Sequence, residues 1–338
     1  MADTVLVTGG TGFVARECIA TLLDKGYDVR TTVRDASKQE VVRKAVEGRA
    51  APGATLSFAE ANLLADAGWD AAMQGCRYVL HVASPLGMTE GSEEQMIETA
   101  RGGTLRVLAA AVRNGVERVV MTSAANAASP VSYEQEGETD ETLWTDASAP
   151  GLLPYRRSKT LAEQAAWDFI GREGGSTTLT TILPGAVFGP VLSAENLKSV
   201  QVLGRMLRGE MPGIPRIGFE IVDVRDLADV HVRAMETPAA AGERFLATGE
   251  FMWMPDIADT LREACGDDAA KVPTAVLPDD VVRQLAQASP EMREIAVALG
   301  RKAVHSIDKA RRLLGWTPRP ARETVIDCGR SLVAWKLV

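Results

Sequence analysis

Residues 4–33 constrain the fold more than any other stretch of this chain. Thr4-Val5-Leu6-Val7-Thr8 is a short apolar, β-branched run, which reads as a buried strand. Gly9-Gly10-Thr11-Gly12-Phe13-Val14-Ala15 follows at once. An apolar-periodic segment through Ile19, Leu22 and Leu23 then reads as a helix, ended by Gly26. The next strand is 28–33. A glycine-rich turn between a strand and a helix, with a second strand beyond, is the context a dinucleotide fingerprint requires. Gly9 and Gly12 let the backbone turn tightly and approach a pyrophosphate, and the helix N-terminus offers free N–H groups and a positive dipole end. Ala15 stands where a third small residue packs helix against strand. A plain glycine-rich turn would share the glycines but not the flanking strands.

Strand and helix signals go on alternating. Helices are expected at 39–47, 69–73, 95–114 and 155–172, and strands at 55–60, 78–83, 118–122 and 178–183. Such alternation implies a parallel sheet covered on both faces. The fold class is therefore α/β, a Rossmann-type doubly wound parallel sheet with a smaller C-terminal substrate lobe. Past Pro184 the texture changes, with Gly189-Pro190, Pro212-Gly213 and Ile214-Pro215 punctuating short segments. Helices are expected from 222 to 235, 251 to 266, 279 to 299 and 307 to 314. Residues 1–190 read as the dinucleotide domain, with 219–248 returning to it, and 191–218 and 249–338 as the substrate lobe. The acidic stretch 133–146 reads as a solvated loop or flap.

The 338 residues carry a net charge of −8, with 46% hydrophobic and 24% charged residues, an ordinary globular composition. The negative balance argues against nucleic acid or an anionic membrane as a partner. Cys18, Cys76, Cys265 and Cys328 are far apart, and His81, His231 and His305 are scattered, so no metal set or disulfide framework is expected. With no long apolar run and no signal-like N-terminus, a cytoplasmic protein is expected, as a monomer or homodimer.

Cofactor choice is read at the end of the second strand. An acidic residue there suits the ribose hydroxyls of NAD, whereas an arginine suits a 2′-phosphate. Here the strand ends in Val33-Arg34-Asp35-Ala36-Ser37-Lys38. Arg34 can fork onto a phosphate, Lys38 lies four residues on, and Asp35 is one position late for a ribose ligand. NADP(H) is the expected cofactor.

Tyr155 and Lys159 sit four apart on an expected helix and share a face. A nearby ammonium favours the phenolate, so Lys159 is expected to pull the phenol toward neutrality and fit it for proton transfer. Alone the pair is common on helix surfaces; beside a nucleotide fold it points to catalysis.

Together these motifs resemble the extended short-chain dehydrogenase/reductases, and within them the dihydroflavonol-4-reductase-like branch of cinnamoyl-CoA reductases and microbial aldehyde and ketone reductases. Val7-Thr8-Gly9-Gly10-Thr11-Gly12-Phe13-Val14, His81-Val82-Ala83-Ser84-Pro85, Tyr155-Arg156-Arg157-Ser158-Lys159 and Pro184-Gly185-Ala186-Val187-Phe188-Gly189-Pro190 carry the likeness, in order. The resemblance implies that Tyr155 is the general acid and that Lys159 holds the nicotinamide ribose. It places Gly9, Thr11, Gly12, Phe13 and Val14 at the diphosphate and Arg34 and Lys38 at the 2′-phosphate. Asn62 and Leu63 fall beside adenine, Val82, Ala83 and Ser84 beneath the ribose, and Pro184, Gly185 and Val187 at the nicotinamide. One position departs: Thr122-Ser123-Ala124-Ala125-Asn126 has Ala124 where the family carries its catalytic serine. Three readings stand: Ser123 takes the role through a shifted turn, Asn126 or another polar group supplies the donor, or the tyrosine works alone. Ser123 is carried forward as the hydroxyl. Pro85, Met88, Asn126, Phe188, Met206 and Met211 are the expected pocket walls, which suit a bulky apolar carbonyl. The implied activity is reversible NADPH-dependent reduction of an aldehyde or ketone to an alcohol. The rival readings are a nucleotide-sugar epimerase or dehydratase holding NAD, and a non-enzymatic NADP-sensing regulator.

Overall fold

The apolar runs of the first half align side by side as one parallel sheet, seen in a computed structural model that describes residues 2–85, 92–132 and 136–338. In chain order the elements are β1 (Thr4–Val7), α1 (Phe13–Asp24), β2 (Asp28–Val33), α2 (Gln39–Ala45), β3 (Leu56–Glu60), α3 (Trp69–Met73), β4 (Tyr78–His81), α4 (Glu93–Arg113), β5 (Arg118–Thr122) and β6 (Gly137–Thr139). There follow α5 (Pro154–Glu173), β7 (Thr178–Pro184), β8 (Ala186–Phe188), α6 (Gln201–Leu207), β9 (Gly218–Asp223), α7 (Val224–Glu236) and β10 (Arg244–Ala247). The chain ends with β11 (Phe251–Trp253), α8 (Met254–Cys265), α9 (Asp279–Ala288), α10 (Pro290–Val297), β12 (Ala303–His305), α11 (Asp308–Leu314) and α12 (Ala321–Ala334). The seven strands run β3-β2-β1-β4-β5-β7-β10, and every neighbouring pair is parallel.

Side chains alternate across a strand, so each strand feeds two cores. Val5, Val7, Leu80 and Val120 pack against α1, α7 and α11 through Ile19, Leu22, Leu227, Val230 and Leu314. Leu6, Val79, Val119 and Met121 face the other way, onto Trp69, Met73, Val107, Leu108, Ala162 and Ala166 of α3, α4 and α5. The chain winds outward from β1 to β3, then crosses back to β4. Ligand crevices form at such a reversal, beyond the carboxyl ends of the strands.

A third apolar cluster is built from α6, α8 and α12, with Leu203, Met206, Leu261, Val325 and Leu332 among its members. It is joined to a small sheet of order β11-β9-β8. Thus β9 leaves the main sheet, while α7 packs on α1 and β10 adds the seventh strand.

Three expectations need correction. Residues 251–266 are a strand and then a helix: Phe-Met-Trp pairs antiparallel with β9, and Pro255 opens the helix at its first turn. Residues 279–299 hold two helices, because Pro290 ends the first and Ser289 caps the second through the Met292 N–H. The flap pairs as β6 with β12 in part, and the carbonyls of Glu141 and Leu143 accept from Arg244. Helices α6 and α12 were not anticipated.

Gly10 sits where β1 gives way to α1. A Cβ there would lie 2.4 Å from Thr31 Oγ1, a hydroxyl already committed to the Val7 carbonyl at 2.8 Å. Gly10→Ala should therefore cost about 1–3 kcal/mol by overpacking. A urea titration reads this as a lower midpoint at unchanged slope, and an unmoved midpoint removes the packing argument.

Candidate active site

Thr8 ties the two strands of the reversal together. Its hydroxyl accepts the Val82 and Ala83 N–H groups at 3.1 and 3.0 Å, which fills both lone pairs. Its proton is left for His81 Nδ1, 3.0 Å away, and His81 Nε2 turns to Thr104 Oγ1. Burial holds His81 down to about 3, so this bridge stays neutral. Gly9 follows at φ +73°, and a Cβ on it would meet the Ala83 Cβ at 3.0 Å. Its N–H donates to Thr32 Oγ1 at 2.9 Å. Beyond Gly12 no side chain caps α1, so the first N–H groups of Phe13 and Val14 lack a side-chain acceptor. An uncapped helix start behind a glycine turn is a ready anion site.

From β3 to β7 the strand ends form one row, roughly 24 Å across five inter-strand steps. Arg34 emerges exposed at the end of β2, with no hydrogen-bond or ion-pair partner among the described residues. Asp35 is committed elsewhere: its carboxylate accepts the Ser37 N–H at 2.8 Å, which holds the carboxyl below its ordinary range. Lys38 is paired with Glu195 at 3.3 Å, an exposed bridge. The Glu195 carbonyl accepts from Arg16, and Asn196 Nδ2 donates to the Thr11 carbonyl at 2.9 Å. Residues 195–196 therefore lie over the glycine turn. Asn62 is exposed and its Oδ1 takes the Leu64 N–H, while Leu63 packs on Gly103 of α4. Val82, Ala83, Ser84, Gly185 and Val187 are part-exposed along the row, and Pro184 is buried.

Helix α5 begins with Pro154 in its first turn and carries Tyr155 and Lys159 toward the ends of β4 and β5. The expected fall in the phenol's pKa does not occur. Tyr155 retains some exposed surface, but desolvation of its hydroxyl pushes it up to about 12. The reason is the direction of Lys159, whose Nζ donates to the Thr122 carbonyl at 3.2 Å. Burial lowers Lys159 to about 8, opposed by Glu163 one turn on. The Tyr155 hydroxyl has no hydrogen-bond partner among the described residues.

Ser123 also departs from expectation. It is buried, and its hydroxyl donates to Glu163 Oε2 at 2.6 Å, away from the cleft. A hydroxyl has one proton, and here a carboxylate holds it. Ala124 is buried and brings no donor. Asn126, in the short 3₁₀ turn Ala125–Ala128 against α5, is part-exposed, and its side-chain amide has no partner among the described residues.

Of the expected pocket walls, Pro85 and Met211 keep some exposure. Phe188 and Met206 do not: they lie inside the third cluster, Phe188 edge-on to Phe219 at 6.1 Å. Met88 falls outside the described residues. Sequence reasoning passed over Glu163, Arg244 and His231. Burial holds His231 down to about 4, and its Nδ1–H donates to the Leu227 carbonyl. Its Nε2 then accepts from Thr122 at 2.7 Å. Only Glu163 had a legible signal, its place four residues past Lys159.

A doubly wound sheet with an uncapped glycine turn and a buried lysine beside a tyrosine defines a dinucleotide-binding protein of the oxidoreductase kind. The chain belongs to the NAD dependent epimerase/dehydratase family, whose model matches residues 5–247, and so to the extended short-chain dehydrogenase/reductases. It is 33% identical to a cinnamoyl-CoA reductase of Medicago truncatula over 81% of this chain and 87% of that one. A ketoreductase of Aspergillus niger is 31% identical over 98% of both chains. Among solved structures, Gre2 of Candida albicans in complex with NADPH superposes with a TM-score of 0.81 at 28% identity, covering 98% of this chain and 99% of that one. No helix among the described residues is long and apolar enough to cross a membrane.

Lys159 gives the site a measurable signature. An unfolded chain holds this proton to the ordinary value of 10.5, while the folded chain releases it near 8. Between those values the unfolded state binds more protons, so stability contributed at this position rises with pH. Lys159→Met should gain on wild type by about 2 kcal/mol at pH 7, with the gap closing toward pH 10. Urea midpoints at the two pH values measure it, and a gap that widens with pH contradicts the assignment.

Proposed function

We propose that this protein reduces an aldehyde or ketone to an alcohol with NADPH, Tyr155 giving the proton. The observation that carries the reading is the Tyr155 hydroxyl, protonated through neutral pH, unpartnered among the described residues and one turn from a buried lysine. When bound, the nicotinamide supplies the hydride. A phenol at about 12 is protonated at neutral pH and so has a proton to give to the substrate oxygen. Lys159 holds the nicotinamide ribose. The glycine turn and the start of α1 take the diphosphate, and Arg34, with Lys38 beside it, takes the 2′-phosphate. Asn62 and Leu63 flank adenine, and Val82 to Ser84 with Pro184, Gly185 and Val187 line the ribose and nicotinamide. The NADPH held by Gre2 and the reductase activities named for the relatives support this reading. We take 1–190 with 219–248 as the cofactor domain and 191–218 with 249–338 as the lobe over the cleft, where Pro85, Asn126 and Met211 wall an apolar carbonyl.

An epimerase holding NAD would want a free carboxylate at the end of β2. Asp35 is held by Ser37 instead, and the open charge is Arg34. With Ser123 bound to Glu163, Asn126 supplies the second donor to the substrate oxygen.

Two variants test the roles. With a panel of aromatic and aliphatic carbonyls, followed at 340 nm, Tyr155→Phe should lose about 10²–10⁴ in turnover and keep its NADPH affinity. Wild-type protein that binds NADPH but reduces no carbonyl ends the proposal. Asn126→Ala should lower kcat by about 10² at unchanged NADPH affinity, the usual loss on removing one such donor. An unchanged kcat moves the role elsewhere.

A further inference from the structure

Glu163 has no exposed surface, yet its carboxylate gathers donors from three adjacent strands. Ser123 Oγ, at the end of β5, lies 2.6 Å from Oε2. Thr181 Oγ1 of β7 is 2.7 Å from Oε1, and Arg244 Nε of β10 is 2.8 Å from the same oxygen. Trp167 Nε1 adds a contact at 3.4 Å. Arg244 also reaches the Ala127 carbonyl of the active-site turn and lies 3.6 Å over the Trp144 ring. Stability alone does not call for such a cluster, since apolar residues of like volume often replace a buried ion pair without loss.

The cluster acts on Lys159 by two routes. The first is geometric. The peptide linking Thr122 to Ser123 is fixed at its N–H by the Ile182 carbonyl at 2.7 Å, and the Ser123 side chain is fixed by Glu163. In a trans peptide the C=O points opposite to the N–H, so the Thr122 carbonyl is turned toward Lys159 Nζ, 3.2 Å away. The second is electrostatic. Glu163 lies one turn along the same face and favours the ammonium, against the desolvation that opposes it. The other titratable groups nearby are Tyr155 on α5, His81 on β4 and His231 on α7. Both histidines are held neutral by burial. Arg244 is a fixed cation bound to the carboxylate itself.

We propose that Glu163 is a positioning residue: through Ser123 it sets the carbonyl that holds Lys159, and through its charge it keeps Lys159 an ammonium, with Arg244 as the counter-cation. The turnover readout of this proposal rests on the reductase reading above; the binding readout rests only on that reading's placement of Lys159 against the cofactor.

Two variants of the full chain test it, with melting temperature recorded on the same samples. In wild type, NADP⁺ affinity, read by quenching of intrinsic fluorescence from pH 6 to 10, should fall as Lys159 loses its proton. In Glu163→Gln that fall should begin about one pH unit lower, because the neighbouring anion is gone. Ser123→Ala keeps the carboxylate–arginine pair but frees the peptide, and should lower kcat about tenfold. A folded Glu163→Gln chain whose affinity falls at the wild-type pH overturns the proposal. Should that variant not fold, a Ser123→Ala chain with wild-type kcat overturns it instead. If wild type reduces no carbonyl but the onset still moves, the proposal stands and the reductase reading falls.

Discussion

A carboxylate with no solvent must be met by donors, and in this protein that demand joins the fold to the site. Glu163 is fully buried under the last strands of the sheet. Its donors fix the end of β5, the register of β7 against β10, and the flap whose carbonyls complete the Arg244 guanidinium. Leaving one such charge unpaired is strongly destabilising, so these segments settle together. The helix that carries Tyr155 and Lys159 is thereby indexed to the strand end that receives them.

The other half of the row is organised on neutral bonds. Thr8 and Thr32 hydroxyls hold the glycine turn against Val82, Ala83 and Gly9, and His81 is kept uncharged beside them. The hydrogen bonds that hold the turn therefore carry no charge at neutral pH. Its anion-binding capacity comes from backbone N–H groups and the helix dipole, which need no proton and do not vary with pH.

Much of the sheet was legible because its strands obey simple rules. Asp28–Val33 and Arg118–Thr122 are β-branched runs bounded by turn residues, and they form at those limits. The C-terminal half was less legible. Phe251–Trp253 and the break at Ser289-Pro290 sit inside helical periodicity, where tertiary pairing and a proline override the pattern. In the site, residue type and spacing singled out Tyr155, Lys159, Arg34 and the glycine turn as candidates. They could not give direction: whether the Ser123 hydroxyl points to the cleft or to Glu163 depends on a partner forty residues on, and whether Met206 lines a pocket or a core depends on which helix covers it. The phenol's pKa was misjudged for the same reason, since a four-residue spacing sets proximity but not the aim of an ammonium.

The lysine's aim also bears on the proposed reductase chemistry, in which alanine stands where a serine is usual. A second hydroxyl near the substrate oxygen shares the developing negative charge with the tyrosine. Without it, more of that charge falls on the phenol. Desolvation to about 12 keeps Tyr155 fully protonated, and Lys159 engaged with Thr122 does not draw that proton away. The part-exposed amide of Asn126 stands on the turn that Arg244 holds through the Ala127 carbonyl, so the buried Glu163–Arg244 pair also braces that turn.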